Sequence, residues 1–385
     1  MRNLSRLGKN MFEPLLLGSS NLIASVIRAL FWLAIASIVS TSSYGELNYY
    51  IAAALLASSF SVVGFNFTTM TYLAKGFEKI VRQANMLVLV LSSISAIILA
   101  IIINNVLVGL LVLALSSFAM TGAEFLGRKK YKQFSLLIIA STTAQAILAM
   151  SLYHLFGING VILGYTLPFL VASYPFFNSI KSASLSFEEI KPRISFSLHS
   201  YSVSISQSVA IYADKLLIAP IFGFEILGLY QLGFQFLMFV AVIPGSLYQY
   251  LLPQEASGIE RRGVRMVGLI LSIVFAVILF FTLPWVIERF FPQYAEATPV
   301  AQLMIFGVIP LTMVSLINSR LLGKEKSKLV VIGSATYVSS LLVLLYILGN
   351  QFGLLGLGMA VIISSSIQCA VLWIIDNIHR KIDRH

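Results

Sequence analysis

Two polar stripes in otherwise apolar stretches are where this chain could do chemistry. The first is Asn21, Ser25, Arg28 and Trp32, at spacings of 4, 3 and 4, which puts all four on one face of a helix. The second is Ser200, Ser204, Gln207 and Asp214, at spacings of 4, 3 and 7, flanked by Ser197, Ser208 and Lys215. An arginine near the middle of a membrane span costs about 2.5–3.5 kcal/mol on insertion scales, so it needs a partner, water or a ligand. Two roles fit Arg28. One is a structural ion pair or bonds to helix carbonyls. The other is contact with an anion, for which a planar, always-charged guanidinium suits phosphate. Asp214 could pair with Arg28, pair with another residue, or exchange a cation or proton. Lys215 lies one residue on, about 100° around the helix, so the two need not face one cavity.

Other chemistry is missing from the pattern. The four histidines, His154, His199, His379 and His385, form no metal-ligand spacing. No glycine-rich phosphate loop occurs, and no pair of carboxylates sits on a large outer loop. We expect no catalytic residue, no metal, no cofactor and no enzymatic activity. Cys369 is the single cysteine, so no disulfide can form within the chain.

The elements that carry the stripes follow from composition. Of the 385 residues, 58% are hydrophobic and 11% charged, with a mean hydropathy of +0.91; soluble domains carry roughly 25% charged residues. The reading is an all-α polytopic membrane protein. Twelve stretches approach the roughly 20 apolar residues that a crossing needs: 13–39, 44–69, 84–103, 105–126, 134–155, 158–177, 195–221, 226–251, 264–288, 297–322, 328–349 and 352–375. The first follows a basic start and is read as a retained helix, not a removed signal peptide. The seventh is expected to end near Pro220 and to be followed by a short Gly223-Phe224-Glu225 loop. Pro168, Pro244, Pro284 and Pro310 are expected to interrupt their spans.

Charge agrees with this count. One set of alternate connections holds Arg2, Arg6, Lys9; Lys75, Lys79, Arg82; Arg128, Lys129, Lys130, Lys132; Lys181, Lys191, Arg193; Arg261, Arg262, Arg265; Arg320, Lys324, Lys326, Lys328; and Arg380, Lys381, Arg384. The other set holds only Arg289. The net charge of +11 is therefore a topology signal and not a nucleic-acid footprint, and it places both termini in the cytoplasm.

The chain also repeats itself. Phe125-Leu126-Gly127-Arg128-Lys129 matches Leu321-Leu322-Gly323-Lys324-Glu325, and Phe156-Gly157-Ile158-Asn159-Gly160 matches Phe352-Gly353-Leu354-Leu355-Gly356, both 196 residues apart. Tyr44-Gly45-Glu46-Leu47 and Leu227-Gly228-Leu229-Tyr230 correspond at an offset of 183. Six spans per half make a parallel repeat, with a substrate site expected between halves. The divisions are an N-terminal bundle at 1–180, a linker at 181–194 with an interfacial helix, and a C-terminal bundle at 195–385.

These motifs, with Ala213-Asp214-Lys215-Leu216-Leu217-Ile218, resemble the polysaccharide biosynthesis/O-antigen flippase (Wzx-type) family of the multidrug/oligosaccharidyl-lipid/polysaccharide exporter superfamily. The resemblance covers nearly the whole chain. It implies a V-shaped pair of six-helix bundles around a central cavity, lined partly by the first and seventh spans. It implies alternating-access translocation of a polyprenyl-phosphate-linked oligosaccharide across the plasma membrane, driven by a proton, sodium or another source, alongside glycan-synthesis enzymes. The cavity residues would be Asn21, Ser25, Arg28, Trp32, Ser200, Ser204, Gln207, Asp214 and Lys215. Two other readings stand beside it: a multidrug-type cation antiporter with Asp214 as coupling carboxylate, and a membrane-embedded polymerase or ligase.

Overall fold

The computed structural model describes residues 2–181, 187–259 and 261–382, with backbone alone at 2–15, 203 and 380–382. Met1, residues 182–186 of the linker, and the C-terminal His385 lie outside the described residues. Fourteen helical segments follow in order: α1 (Arg2–Ile38), α2 (Thr41–Val62), α3 (Phe65–Leu73), α4 (Lys79–Ile103), α5 (Val106–Gly127), α6 (Tyr131–Ala172), α7 (Tyr174–Ile180), α8 (Ile194–Phe222), α9 (Phe224–Val240), α10 (Val242–Ala256), α11 (Arg262–Phe290), α12 (Thr298–Ile305), α13 (Val308–Gly323) and α14 (Ser327–Ile382). No strand occurs among the described residues. Helices are the form in which an apolar chain can satisfy its backbone inside lipid.

Among the described residues, nine segments are long and apolar enough to cross a membrane, or ten with the bent pair α2 and α3. The difference from twelve arises at two glycines. Gly157 (φ 57°, ψ −137°) and Gly353 (φ 58°, ψ −136°) each reverse the chain inside α6 and α14. The returning arm packs so closely that a Cβ on Gly160 would lie 2.0 Å from the Leu152 carbonyl oxygen, and one on Gly356 would lie 1.9 Å from that of Leu348. These are helical hairpins at the expected 196-residue offset. The second motif pair behaves alike. Lys129 (φ 57°) and Glu325 (φ 60°) are left-handed residues closing α5 and α13. The N–H of Lys130 donates to the Phe125 carbonyl and that of Lys326 to the Leu321 carbonyl, each at 2.8 Å. Such six-to-one closures usually use glycine; here both copies place a charged residue there.

Packing divides the chain into two compact units. Unit 1 holds residues 1–32 and 50–208; unit 2 holds 33–49 and 209–385. In unit 1, serine and threonine pairs hold helices together: Ser20 with Ser135 (3.0 Å), Ser58 with Ser116 (3.0 Å), and Thr68 with Ser197 (2.6 Å). The end of the linker docks here. Buried Gln83 on α4 accepts from the backbone N–H groups of Glu189 (3.1 Å) and Ile190 (3.0 Å), and Ile190 joins Val88, Met120 and Phe176 in one core cluster. The expected interfacial helix is, over the described part, a single turn at Lys191–Arg193. Replacing Gln83 with leucine orphans two N–H groups. We expect a loss of about 1–3 kcal/mol and faster proteolysis at 187–193, read by limited trypsinolysis.

In unit 2, the first turns of α2 and α9 meet reciprocally. A Cβ on Gly45 would lie 1.8 Å from the Phe224 carbonyl oxygen, and one on Gly228 would lie 1.9 Å from that of Thr41. The 183-residue offset relates both contacts. Small residues permit this approach, so Gly45→Val or Gly228→Val should abolish folded protein, scored as loss of a monodisperse detergent peak.

The prolines act unequally. Pro168 and Pro284 sit within α6 and α11 without ending them. Pro244 and Pro310 fall just after the breaks at Ala241 and at Phe306–Gly307, where each proline removes a donor and crowds the carbonyl four residues back. The seventh span continues past Pro220 to Phe222, and Gly223 (φ 90°) is the sole residue outside helix before α9 begins. A proline in the last turn removes only one bond, and a single glycine in an extended left-handed conformation suffices for the turn.

Candidate substrate site

Arg28 lies 12 residues from the start of the apolar span Leu16–Ile38 and 10 from its end, or about 15–18 Å of helix from either end. Its helix orients it: Arg28 Nη2 donates to Ser25 Oγ (3.2 Å), and Ser25 Oγ donates to the Asn21 carbonyl (2.8 Å). Asn21 and Ser25 are exposed and Arg28 is half-buried. Among the described residues no carboxylate lies within ion-pair distance of Arg28.

Aromatic rings pack beside Trp32, one turn on from Arg28. Trp32 stands edge-on to Phe31 at 5.3 Å and 6.2 Å from Tyr165. Tyr165 continues to Phe169 at 5.8 Å, and Phe169 to Phe118 at 4.3 Å. Tyr165 and Phe169 were not among the residues expected at a site, although their spacing of four puts them on one face of α6.

The first half of α8 also belongs to unit 1. Ser197 and Ser208 are used as glue, to Thr68 and to Ser59 (2.9 Å). Ser200 and Ser204 are half-buried, with Ser204 Oγ donating to the Ser200 carbonyl (3.0 Å), and Gln207 is exposed. Asn21, Ser25 and Arg28 share no hydrogen bond with Ser200, Ser204 or Gln207 among the described residues.

Asp214 and Lys215 belong to unit 2 and are buried, at 1% and 5% exposure. Lys215 Nζ sits 3.0 Å from Asp214 Oδ1 and 3.1 Å from Oδ2, and donates to the Ile211 carbonyl (3.0 Å). The Lys215 backbone N–H reaches Oδ1 (2.8 Å), and Tyr230 Oη donates to Oδ2 (2.8 Å). The ammonium lies 4.1 Å from the centre of the Phe234 ring. The 100° between the two Cβ directions is thus bridged by the length of the lysine chain. Both charges are satisfied within unit 2, as buried charges must be. Tyr230 and Phe234, four apart on α9, complete a cage whose members were not all legible beforehand. No group of metal-ligating side chains occurs among the described residues.

No protein-family profile and no curated protein sequence matches the chain. Solved structures do match. One is the lipid II flippase MurJ in an inward closed conformation, at TM-score 0.75 and 14% identity, over 94% of this chain and 87% of that one. Another is an inward-facing multidrug resistance MATE family transporter of the MOP superfamily, at 0.74 and 12%, over 92% and 94%. A third is a MOP superfamily transporter from Pyrococcus furiosus Vc1, described as having a binding pocket of reversed polarity, at 0.57 and 12%, over 96% and 94%. All three are named as flippases or transporters and none as an enzyme. At these identities the likeness concerns architecture, and it covers almost every residue. The chain is an all-helical, multi-pass membrane protein with the fold of the MOP-superfamily transporters.

Proposed function

We propose that this protein is a flippase that moves a polyprenyl-phosphate-linked oligosaccharide across the plasma membrane by alternating access, for cell-surface polysaccharide synthesis. The observation that carries this reading is Arg28: a mid-span guanidinium, half-exposed, aimed by Ser25 and without a carboxylate partner among the described residues. A phosphate is the ligand that such a group fits. Asn21, Ser25, Trp32, Ser200, Ser204 and Gln207 line the sugar's path in this reading, and Asp214 and Lys215 hold the second half of α8 rigid. The repeat divides the chain into moving bundles at 1–180 and 195–385. Support comes from the fold, which a lipid II flippase shares.

The cation-antiporter reading requires a carboxylate free to take up a cation. Asp214 already holds the Lys215 ammonium and the Tyr230 hydroxyl, which favours the flippase. The test is reconstitution: proteoliposomes carrying a fluorescent polyprenyl-diphosphate sugar should show protein-dependent exposure of the label to an outer-leaflet reductant. Efflux of small cationic dyes without glycan movement would overturn the reading.

We propose twelve crossings with both termini cytoplasmic, giving each arm of the hairpins at Gly157 and Gly353 its own pass. In a Cys369→Ser background, Gln351→Cys should react with an impermeant maleimide in intact cells, and Lys130→Cys and Lys326→Cys should not. Outside labelling of Lys130→Cys would reject this topology.

A further inference from the structure

We infer that the basic end of unit 1 carries a docking site for an acidic membrane phospholipid: a charged pocket for its phosphate headgroup and an adjoining apolar groove for an acyl chain. The pocket has a volume of about 390 Å³ and lies among Lys79 and Arg82 at the start of α4, Glu124 and Arg128 at the end of α5, and Asn178 at the end of α7. Glu78 completes the wall.

Its charges are sorted by geometry. Arg128 Nε binds Glu124 Oε1 at 2.8 Å, and Arg128 Nη1 binds Glu78 Oε2 at 2.8 Å. Partial burial works against the Arg128 charge, but the two carboxylates outweigh it and hold its pKa above the ordinary value. Both carboxylates are thus engaged by one guanidinium. Lys79 and Arg82 line the same cavity, which makes three cations against two anions there.

Beside this pocket runs a groove of about 820 Å³, walled by Phe125, Leu136, Ala140, Leu167 and Val171. Leu136 and Val171 are 70% and 75% exposed. The last turn of α5 separates the two depressions, with Glu124 and Arg128 walling the pocket and Phe125 the groove. The corner between α6 and α7 does the same, with Ala172 on the groove and Pro175 on the pocket.

The level fixes the ligand class. The pocket lies where α4 begins and α5 and α7 end, at the end of the bundle rich in loop lysine and arginine. There the apolar span Lys79–Ile103 begins and the span Val106–Gly127 ends, the level at which headgroups are expected to meet hydrocarbon. A basic pocket between helices at this depth suits an anionic headgroup, and a mostly apolar groove next to it, with Gln133 and Ser141 as its only polar side chains, suits the chain of the same molecule. A soluble anion would leave the groove unused, and a peptide has no access from the bilayer. This site is independent of the transport reading, since none of its residues is among those proposed to contact the glycan.

The experiment uses the full chain, purified and delipidated in detergent. Dioleoylphosphatidylglycerol and dioleoylphosphatidylcholine are titrated in competition, and bound lipids are counted by native mass spectrometry. We expect one site at which phosphatidylglycerol is strongly preferred. The double variant Lys79→Gln/Arg82→Gln should cut that preference roughly tenfold or more at an unchanged melting temperature; both side chains are exposed. Ala140→Trp, which fills the groove, should weaken both lipids at that site. Equal occupancy by the two lipids in the unaltered protein, or an undiminished preference in the double variant, overturns the proposal. A polyprenyl phosphate that displaces phosphatidylglycerol at lower concentration would assign the pocket to the carried substrate and overturn the phospholipid assignment.

Discussion

Arg28→Ala should abolish glycan translocation while leaving a protein at least as stable as the original. The two halves of that expectation have separate causes. A two-pronged, charge-assisted contact to phosphate is worth on the order of 3 kcal/mol, so its loss lowers flux about a hundredfold. Removing an arginine that has no carboxylate partner among the described residues also removes an insertion cost of about 2.5–3.5 kcal/mol. The melting temperature should therefore hold or rise. Arg28→Lys keeps the charge and loses the planar fork, so it should retain intermediate activity. A fall in melting temperature for Arg28→Ala would mark Arg28 as structural. Normal transport by the variant would remove it from the mechanism. The Ser25 hydroxyl that aims Arg28 gives a graded control, since Ser25→Ala keeps the charge and frees its direction.

The second large effect belongs to Asp214 and Lys215, and it concerns stability. Breaking a buried ion pair from one side leaves the other charge uncompensated, at about 3–5 kcal/mol. Asp214→Leu and Lys215→Met should each cause a loss of that size. The double variant should recover most of it. A residue of about 1–3 kcal/mol should persist, because Tyr230 would donate to nothing. Adding Tyr230→Phe should remove that residue. Unfolding in mixed micelles across the single, double and triple variants checks the cycle. Single variants that fold normally and fail only in transport would make Asp214 a coupling group and revive the antiporter reading.

Much of the fold was legible in the chain because lipid imposes a coarse rule. Apolar length set the helices. The glycine motifs announced the repeat, and the matched backbone angles at Gly157 and Gly353, and at Lys129 and Glu325, are its physical content. The polar stripes showed which helices carry unusual charge, since helical spacing alone decides which side chains share a face.

Periodicity could not decide how those charges are paired, because pairing depends on side-chain reach and on neighbours far along the chain. Asp214 and Lys215 point apart at their Cβ atoms and meet only because a four-carbon stem bends back, under a hydroxyl supplied from α9. Helical spacing already made Arg28 a candidate for phosphate but left a structural ion pair equally open; only its surroundings bear on that choice, with Ser25 beside it and no carboxylate close by among the described residues. The same holds for Gln83, an ordinary polar residue at a helix start that proves to hold the linker by two backbone donors more than a hundred residues away. Sequence placed the charges along each helix. Packing between helices determined which of them are paired.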